Sequence, residues 1–245
     1  MTTQHPFEAM FSGIIGQEYD MLRLICPLAA EMSQLVGQRA GEYCAQNPAA
    51  SSVLELGGGT GITTLALLSA NERLKITSVD NAETMQSQAR QSLQQWQKEG
   101  RLAFVLDDIL QTLEHTEDNS VDIVASAYTL HNFEHGYREQ VIAQVHRVLK
   151  PDGLFVNGDR YGLDDVNVHT HLIQQEVQGY FSVLTDMKRL DLLEHWIVHL
   201  FSDESENHVM RESVALAQLQ THGFKSIQLD HRNQVNARVT AFKSL

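Results

Sequence analysis

Val53-Leu-Glu-Leu-Gly57-Gly-Gly59-Thr-Gly61 is the stretch of this 245-residue sequence that decides its fold. Ser52–Leu56 has strand character, and Ile62–Ser69 reads as a helix. Glycines at 57, 59 and 61 therefore fall directly between the two elements. Glycine permits a tight turn and lets a ligand approach the backbone where a Cβ would block it. The helix that follows begins with N–H groups that have no intrahelical partner. Glu55 is the one charged residue on an otherwise apolar strand. A buried carboxylate is costly without a partner, so Glu55 calls for one.

Outward from this turn, short apolar runs alternate with helical patterns. Leu74–Val79, Leu102–Leu106, Val121–Ala125 and Leu154–Asn157 read as strands, and Ala82–Lys98 as one long helix. His135–Leu149 is an amphipathic helix, stopped by Lys150-Pro151-Asp152-Gly153. Such alternation implies a parallel sheet covered by helices on both faces. Residues 1–12 form a lead-in, and Gly16 to Cys44 is helical, with Pro27 breaking or kinking the run. From 164 to 210 the strand–helix rhythm is interrupted by a helical segment rich in His, Asp and Glu. A last helix, Glu212–Gln220, leads to strands Lys225–Leu229 and Asn236–Phe242, expected to pair as an antiparallel hairpin. The expected units are N-terminal helices (1–50), a ligand-binding core (51–163), a helical cap (164–210) and a closing helix with hairpin (211–245).

The dinucleotide fingerprint G-x-G-x-x-G, counted from Gly57, needs its third glycine at position 62, which is Ile62. A nicotinamide-dependent oxidoreductase is therefore disfavoured. The run Glu55-x-Gly57-x-Gly59-x-Gly61 instead resembles motif I of the class I S-adenosylmethionine-dependent methyltransferases. Further matches follow in the same order. Ser78-Val79-Asp80 ends the second strand in an acid, Phe104-Val-Leu-Asp107-Asp108 ends the third, and Val121 to Tyr128 looks like the fourth and its exit turn. His146-Arg-Val-Leu149-Lys-Pro151-Asp-Gly153-Leu154 is similar to the family's turn before strand five, with Asp152 replacing a glycine. A fainter likeness to carboxy-S-adenosylmethionine synthase lies in the N-terminal helices and the cap.

The resemblance implies a Rossmann-like α/β fold: a seven-stranded, mostly parallel sheet in the order 3-2-1-4-5-7-6, with helices on both faces and a helical cap. It implies S-adenosylmethionine as cofactor and S-adenosylhomocysteine as product. Glu55 and Gly57, Gly59 and Gly61 would meet the methionine part, and Asp80 with Asn81 the ribose. Asp108, with Asp107 as the alternative, would accept from the adenine amino group while Ile109 packs on the ring; Ser126 completes the set. The expected function is methyl transfer to a small-molecule acceptor by in-line displacement. A carboxy-S-adenosylmethionine synthase-like reaction and a non-catalytic cofactor-binding protein stand as alternatives.

His131 follows the fourth strand, in the turn that borders the donor site in the family. It is read as a general base or substrate anchor, because imidazole titrates near neutrality, with a packed or capping histidine as the alternative. Tyr128 is expected to shape the pocket, and Arg160 and Tyr161 to meet the acceptor, with a surface role as the alternative for these two. In Glu194-His195-Trp-Ile-Val-His199 two imidazoles share one helical face at chelating spacing. This is not the H-E-x-x-H motif, and Leu192, Leu193, Trp196 and Leu200 fit an amphipathic cap helix. No metal centre is expected.

Composition narrows the partners. A net charge of −13 disfavours a nucleic-acid substrate, because polyanions are bound by neutralising phosphates with Lys and Arg. No apolar run approaches the roughly 18–20 residues that span a bilayer, and no signal-peptide pattern opens the chain. With only two cysteines, Cys26 and Cys44, and no redox or ligand spacing between them, a cytoplasmic location with free thiols is expected. A homodimer is compatible with this reading.

Overall fold

The computed structural model describes residues 27–244. The N-terminal part of the helical run expected from Gly16, including Cys26, lies outside the described residues, as does the lead-in. Helix α1 is described over Pro27–Gln46.

The core alternates strands and helices in chain order. It comprises β1 (Ser52–Leu56), α2 (Ile62–Ala70), β2 (Lys75–Asp80), α3 (Glu83–Ser92), α4 (Gln94–Lys98) and β3 (Leu102–Leu106). Then come α5 (Ile109–His115), β4 (Val121–Ala127), α6 (His135–Val148) and β5 (Leu149–Arg160). Helices α7 (Val166–Asp186) and α8 (Leu190–Asp203) precede α9 (Glu212–Thr221) and the hairpin β6 (Phe224–Asn233) and β7 (Asn236–Lys243). The seven strands form one sheet in the order β3-β2-β1-β4-β5-β7-β6. Strands β1 to β5 run parallel, and β7 is antiparallel to both β5 and β6. This is the expected seven-stranded, Rossmann-like arrangement. Chain progression reverses direction between β1 and β4, and the crevice beyond the strands' carboxyl ends at such a switch point is where open α/β sheets bind ligands.

Two apolar layers flank the sheet. Ile62, Leu65, Val36 and Ala40 cover one face, and Val141, Val145, Leu113 and Ala215 the other. Helices α7 and α8 share a smaller core of Tyr180, Leu184, Leu193 and Leu200. Residues 164–210 contribute no strand to the sheet.

Four local readings need correction. Ala82–Lys98 is two helices, not one: Leu93 leaves helical geometry (φ −107°, ψ 19°) with its side chain fully buried. Its Cδ1 occupies the space beside Gly61, so the chain bends to seat Leu93 beneath the glycine turn. Helix α5 has no counterpart in the sequence reading, since seven residues carry too little periodicity; Asp108 caps it by accepting from Gln111 N at 3.1 Å. Helix α6 ends at Val148, and Lys150–Gly153 belongs to β5 instead of ending a helix. A register irregularity there, with Asp152 at φ 60°, accommodates Pro151 within a strand. The last two strands are longer than expected but pair as the expected hairpin.

Helix α1 lies close against α2 because Gly37 and Gly41 face Ala66 and Ala70. A Cβ on Gly37 would stand 2.6 Å from the Ala66 carbonyl oxygen. Helix propensity alone would make Gly37→Ala stabilising by about 1 kcal/mol. The clash is with rigid backbone, and overpacking costs about 1–3 kcal/mol, so the clash should win. Gly37→Ala is expected to lower the urea midpoint with an unchanged slope; a raised midpoint would show that the helices can separate cheaply.

Candidate active site

The glycine turn folds over the end of β2. Gly57 and Gly58 both donate to the Val79 carbonyl, at 2.8 and 3.1 Å. Gly57 has φ 71°, and a Cβ there would meet Thr129 Oγ1 at 2.1 Å, so only glycine fits. Asp80 locks this shape: Oδ2 accepts from Gly59 N and Oδ1 from Ala82 N, both at 2.7 Å. At Gly59 a Cβ would meet only the Met85 methyl, 3.4 Å away.

Two cavities open on either side of this turn and share Gly57, Gly59, Met85, Tyr128 and Asn132. The first, about 720 Å³, is lined by Asp80, Asn81, Asp108, Ile109 and Tyr137. Of the two acids left open in the sequence, Asp108 borders this chamber, whereas Asp107 borders a separate cavity against β3. Tyr137 Oη donates to Asp108 Oδ2 at 2.8 Å and accepts from Leu110 N at 3.2 Å. Burial and the Asp108 carboxylate push the Tyr137 phenol up to about 12, so it stays a donor. Sequence reasoning missed Tyr137; its only signal was an aromatic one turn beyond Phe133 on α6.

Glu55 sits beneath the turn, fully buried. Oε2 accepts from Thr64 Oγ1 at 2.6 Å, while Oε1 has no partner among the described residues. Burial raises its pKa to about 7, against hydrogen bonds from Thr64 and Ser78 that lower it, with nearby Asp80 adding to the rise.

The second chamber, about 630 Å³, is roofed by the α7–α8 pair through Tyr180, Leu192, His195, Trp196, His199 and Asp203. His131 and Arg160 form its inner wall. His131 lies on a short 3₁₀ turn, Leu130–Asn132, and is buried. Its Nδ1 lies 2.6 Å from Asp159 Oδ1. Asp159, fully buried, also accepts from Leu130 N at 3.0 Å and Arg160 N at 2.8 Å. With those two N–H groups donating to it, Asp159 serves as acceptor and holds the proton of a neutral imidazole on Nδ1. That leaves the Nε2 lone pair available. Tyr128 packs edge-on to His131 at 5.9 Å, has φ 49°, and donates its hydroxyl to Asn236 Oδ1.

The remaining expected residues are placed differently. Arg160 is not available to a substrate carboxylate: Glu176 accepts from it at 2.8 and 3.1 Å and Glu204 at 3.0 Å. Tyr161 points away from both chambers into the core of the opposite face. It is 2% exposed, with Asn157 donating to its hydroxyl at 2.8 Å. Tyr161 directly follows β5, and the strand's alternation carried one residue past Arg160 turns it to the opposite side. Ser126 is buried within β4, its hydroxyl unpartnered, and borders neither chamber. Asp159 carries no sequence signal of its own, whereas Asp203 extends the stripe of His195 and His199 on α8 by one more step of four residues.

Residues 53–153 match the family described as a methyltransferase domain. That match covers the glycine turn and strands β1 to β4, and the seven-stranded sheet order is the one expected of the class I fold. The chain is an S-adenosylmethionine-dependent enzyme, and its fold and cofactor are those of that class. The protein is similar to the carboxy-S-adenosyl-L-methionine synthase of Pasteurella multocida (26% identity over 217 residues, 86% of this chain and 83% of that one). It is also similar to the Shewanella amazonensis protein of the same name (26% over 191 residues, 75% and 74%). Among solved structures it shares the fold of an O-methyltransferase family protein from Burkholderia thailandensis (TM-score 0.64, 17% identity, 98% of this chain and 61% of that one). The chain thus spans about three fifths of the length of that structure. The site has features that fit the cofactor. The orphaned Glu55 Oε1 suits a cationic amino group, and above Gly59 the turn leaves room for a ligand to lie on the backbone. No helix among the described residues is long and apolar enough to cross a membrane.

Proposed function

We propose that this enzyme transfers the methyl group of S-adenosylmethionine to a small-molecule acceptor held in the chamber beneath α7 and α8. The observation that carries this reading is the pair of chambers sharing the glycine turn, one lined by acids and the other roofed by the helical pair. When bound, the cofactor supplies an electrophilic methyl, so the protein's task is alignment, exclusion of water and, where needed, deprotonation.

In the first chamber Asp80, with Asn81 beside it, would accept from the ribose hydroxyls using the lone pairs its backbone partners leave free. Asp108 would accept from the adenine amino group, with Ile109 against the ring. Glu55 would meet the amino group of the methionine part beneath Gly57, Gly59 and Gly61. In the second chamber the His131 Nε2 lone pair is what a hydroxyl or amine acceptor needs to lose its proton or be anchored. Tyr128 and the α7–α8 cap would fix the acceptor's position, with water excluded when the cap closes. A roofed chamber of this size suits a small acceptor better than a macromolecule.

The name carried by the curated relatives, over most of this chain's length, supports a second reading: formation of carboxy-S-adenosylmethionine from the same cofactor. A mass spectrum of the product separates the two, since one adds a methyl to an acceptor and the other leaves a carboxylated cofactor.

Asp80→Ala tests the cofactor assignment by calorimetry with S-adenosylhomocysteine. Each lost charge-assisted hydrogen bond is worth about 1.5–3 kcal/mol, so affinity should fall by about tenfold or more. Unchanged affinity would remove Asp80 from the site.

A further inference from the structure

His131, His199 and Asp203 come together from the 3₁₀ turn after β4 and the last turns of α8. His131 Nε2 lies 3.7 Å from Asp203 Oδ2, and His199 Nε2 lies 3.6 Å from the same oxygen. One ligand-capable atom from each residue lies within 4.8 Å of the others. Both separations exceed hydrogen-bond distance. The Asp203 carboxylate, 7% exposed, makes no hydrogen bond to any described residue. Three polar groups thus face a common point at ion-pair and not hydrogen-bond distance, in a place where a carboxylate without a hydrogen bond is costly.

We propose that His131, His199 and Asp203 bind one divalent transition-metal ion, which takes an oxyanion of the methyl acceptor as a further ligand. Ligand atoms about 2.0–2.2 Å from one ion stand roughly 3.0–3.5 Å apart, so the two His–Asp spacings need to close by only a few tenths of an ångström, and the two imidazoles, within 4.8 Å of each other, by a side-chain rotation. Two imidazoles and one carboxylate suit Zn²⁺, Co²⁺ or Fe²⁺, and not the all-oxygen preference of Mg²⁺ or Ca²⁺. Asp159 supplies the outer partner that metal-bound histidines use, accepting from Nδ1 of His131 and turning Nε2 toward the ion. Arg160 on the same wall does not oppose a cation, because Glu176 and Glu204 already pair with it. Three protein ligands leave coordination positions open, and all three residues line the second chamber.

This inference rests on the methyl-transfer reading for its acceptor, and narrows that acceptor to a molecule offering a carboxylate, phenolate or enolate oxygen. With the ion bound, His131 is a ligand and not a base; coordination to the ion acidifies the acceptor's O–H, and the proton leaves to solvent.

The test is titration of the tag-free, chelator-treated full chain with Co²⁺ and with Zn²⁺, followed by absorption and calorimetry. One equivalent of Co²⁺ should bind with a visible d–d spectrum, Zn²⁺ should displace it, and Mg²⁺ should not. His199→Ala and Asp203→Ala should each abolish the stoichiometric site. Asp159→Asn should weaken it by about 10–100-fold, as for other outer partners. Retained S-adenosylhomocysteine binding in the same variants would show that they fold. No stoichiometric ion in the wild type would overturn the proposal, as would binding undiminished in both ligand variants. If instead the wild type binds Co²⁺ but not S-adenosylhomocysteine, the methyl-transfer reading fails and the metal site stands.

Discussion

Replacing Glu55 with glutamine should stabilise the ligand-free protein at pH 8 by roughly 3 kcal/mol while weakening its hold on S-adenosylhomocysteine. The expectation follows from the buried carboxyl, whose pKa stands at about 7 instead of its ordinary 4.5. The folded state holds this proton more tightly than the unfolded chain. Glu55 therefore costs nothing below about pH 4.5, and stability falls as pH rises through the window from 4.5 to 7. Above that window the full penalty of burying an ion with one orphaned oxygen is in place. Glutamine has nearly the same shape and no proton to lose, so the gap between variant and wild type should widen from pH 5 to pH 8. Urea unfolding at several pH values measures this directly, and a gap independent of pH would mean that Glu55 is not the strained group. Affinity should move the other way, by the loss of a charge-assisted hydrogen bond worth about 1.5–3 kcal/mol. Near pH 7 the wild type should also release a proton on binding, because a cationic amino group favours the ionised carboxylate. Calorimetry in buffers of different ionisation enthalpy reads that release.

His131→Ala is expected to lower turnover by about 10²–10⁴-fold while S-adenosylhomocysteine affinity stays within a few-fold. The imidazole belongs to the second chamber, so its loss should spare the first. Both a base and a metal ligand predict lost turnover; the metal titration described above tells them apart. Asp159→Asn should act in the same direction. An amide cannot accept from the imidazole and from both backbone N–H groups at once, so the tautomer of His131 is no longer held. If His131 merely anchors the acceptor, the defect should appear as a raised Michaelis constant with turnover preserved. Wild-type kinetics in His131→Ala would exclude the residue from the reaction.

Much of the fold was legible because its signals are local. Three glycines between a strand and a helix, an acid closing the second strand, and alternating apolar runs specify a parallel sheet with its switch point between β1 and β4. What failed locally was subtle: Leu93 breaks a helix for the sake of a tertiary contact under Gly61, which no window of sequence contains. The first chamber was also largely readable, since Asp80 and Asp108 stand at strand ends. The second was not. His131, Asp159 and Asp203 come from three separate elements, and their meeting depends on how α8 docks on the sheet. Tyr161 looked equivalent to its neighbour Arg160, yet the period of two, carried one residue past β5, turns it into the opposite core. Arg160 itself looked free because Glu176 and Glu204 are remote in sequence.

The wall between the chambers links the affinities of whatever lies on its two sides. Gly57, Gly59, Met85, Tyr128 and Asn132 face both spaces, and of these Met85 combines high exposure with a flexible side chain. A molecule settling on one side fixes where the Met85 thioether can lie for the other. Each ligand thereby sets part of the other's affinity, and that influence must be equal in both directions.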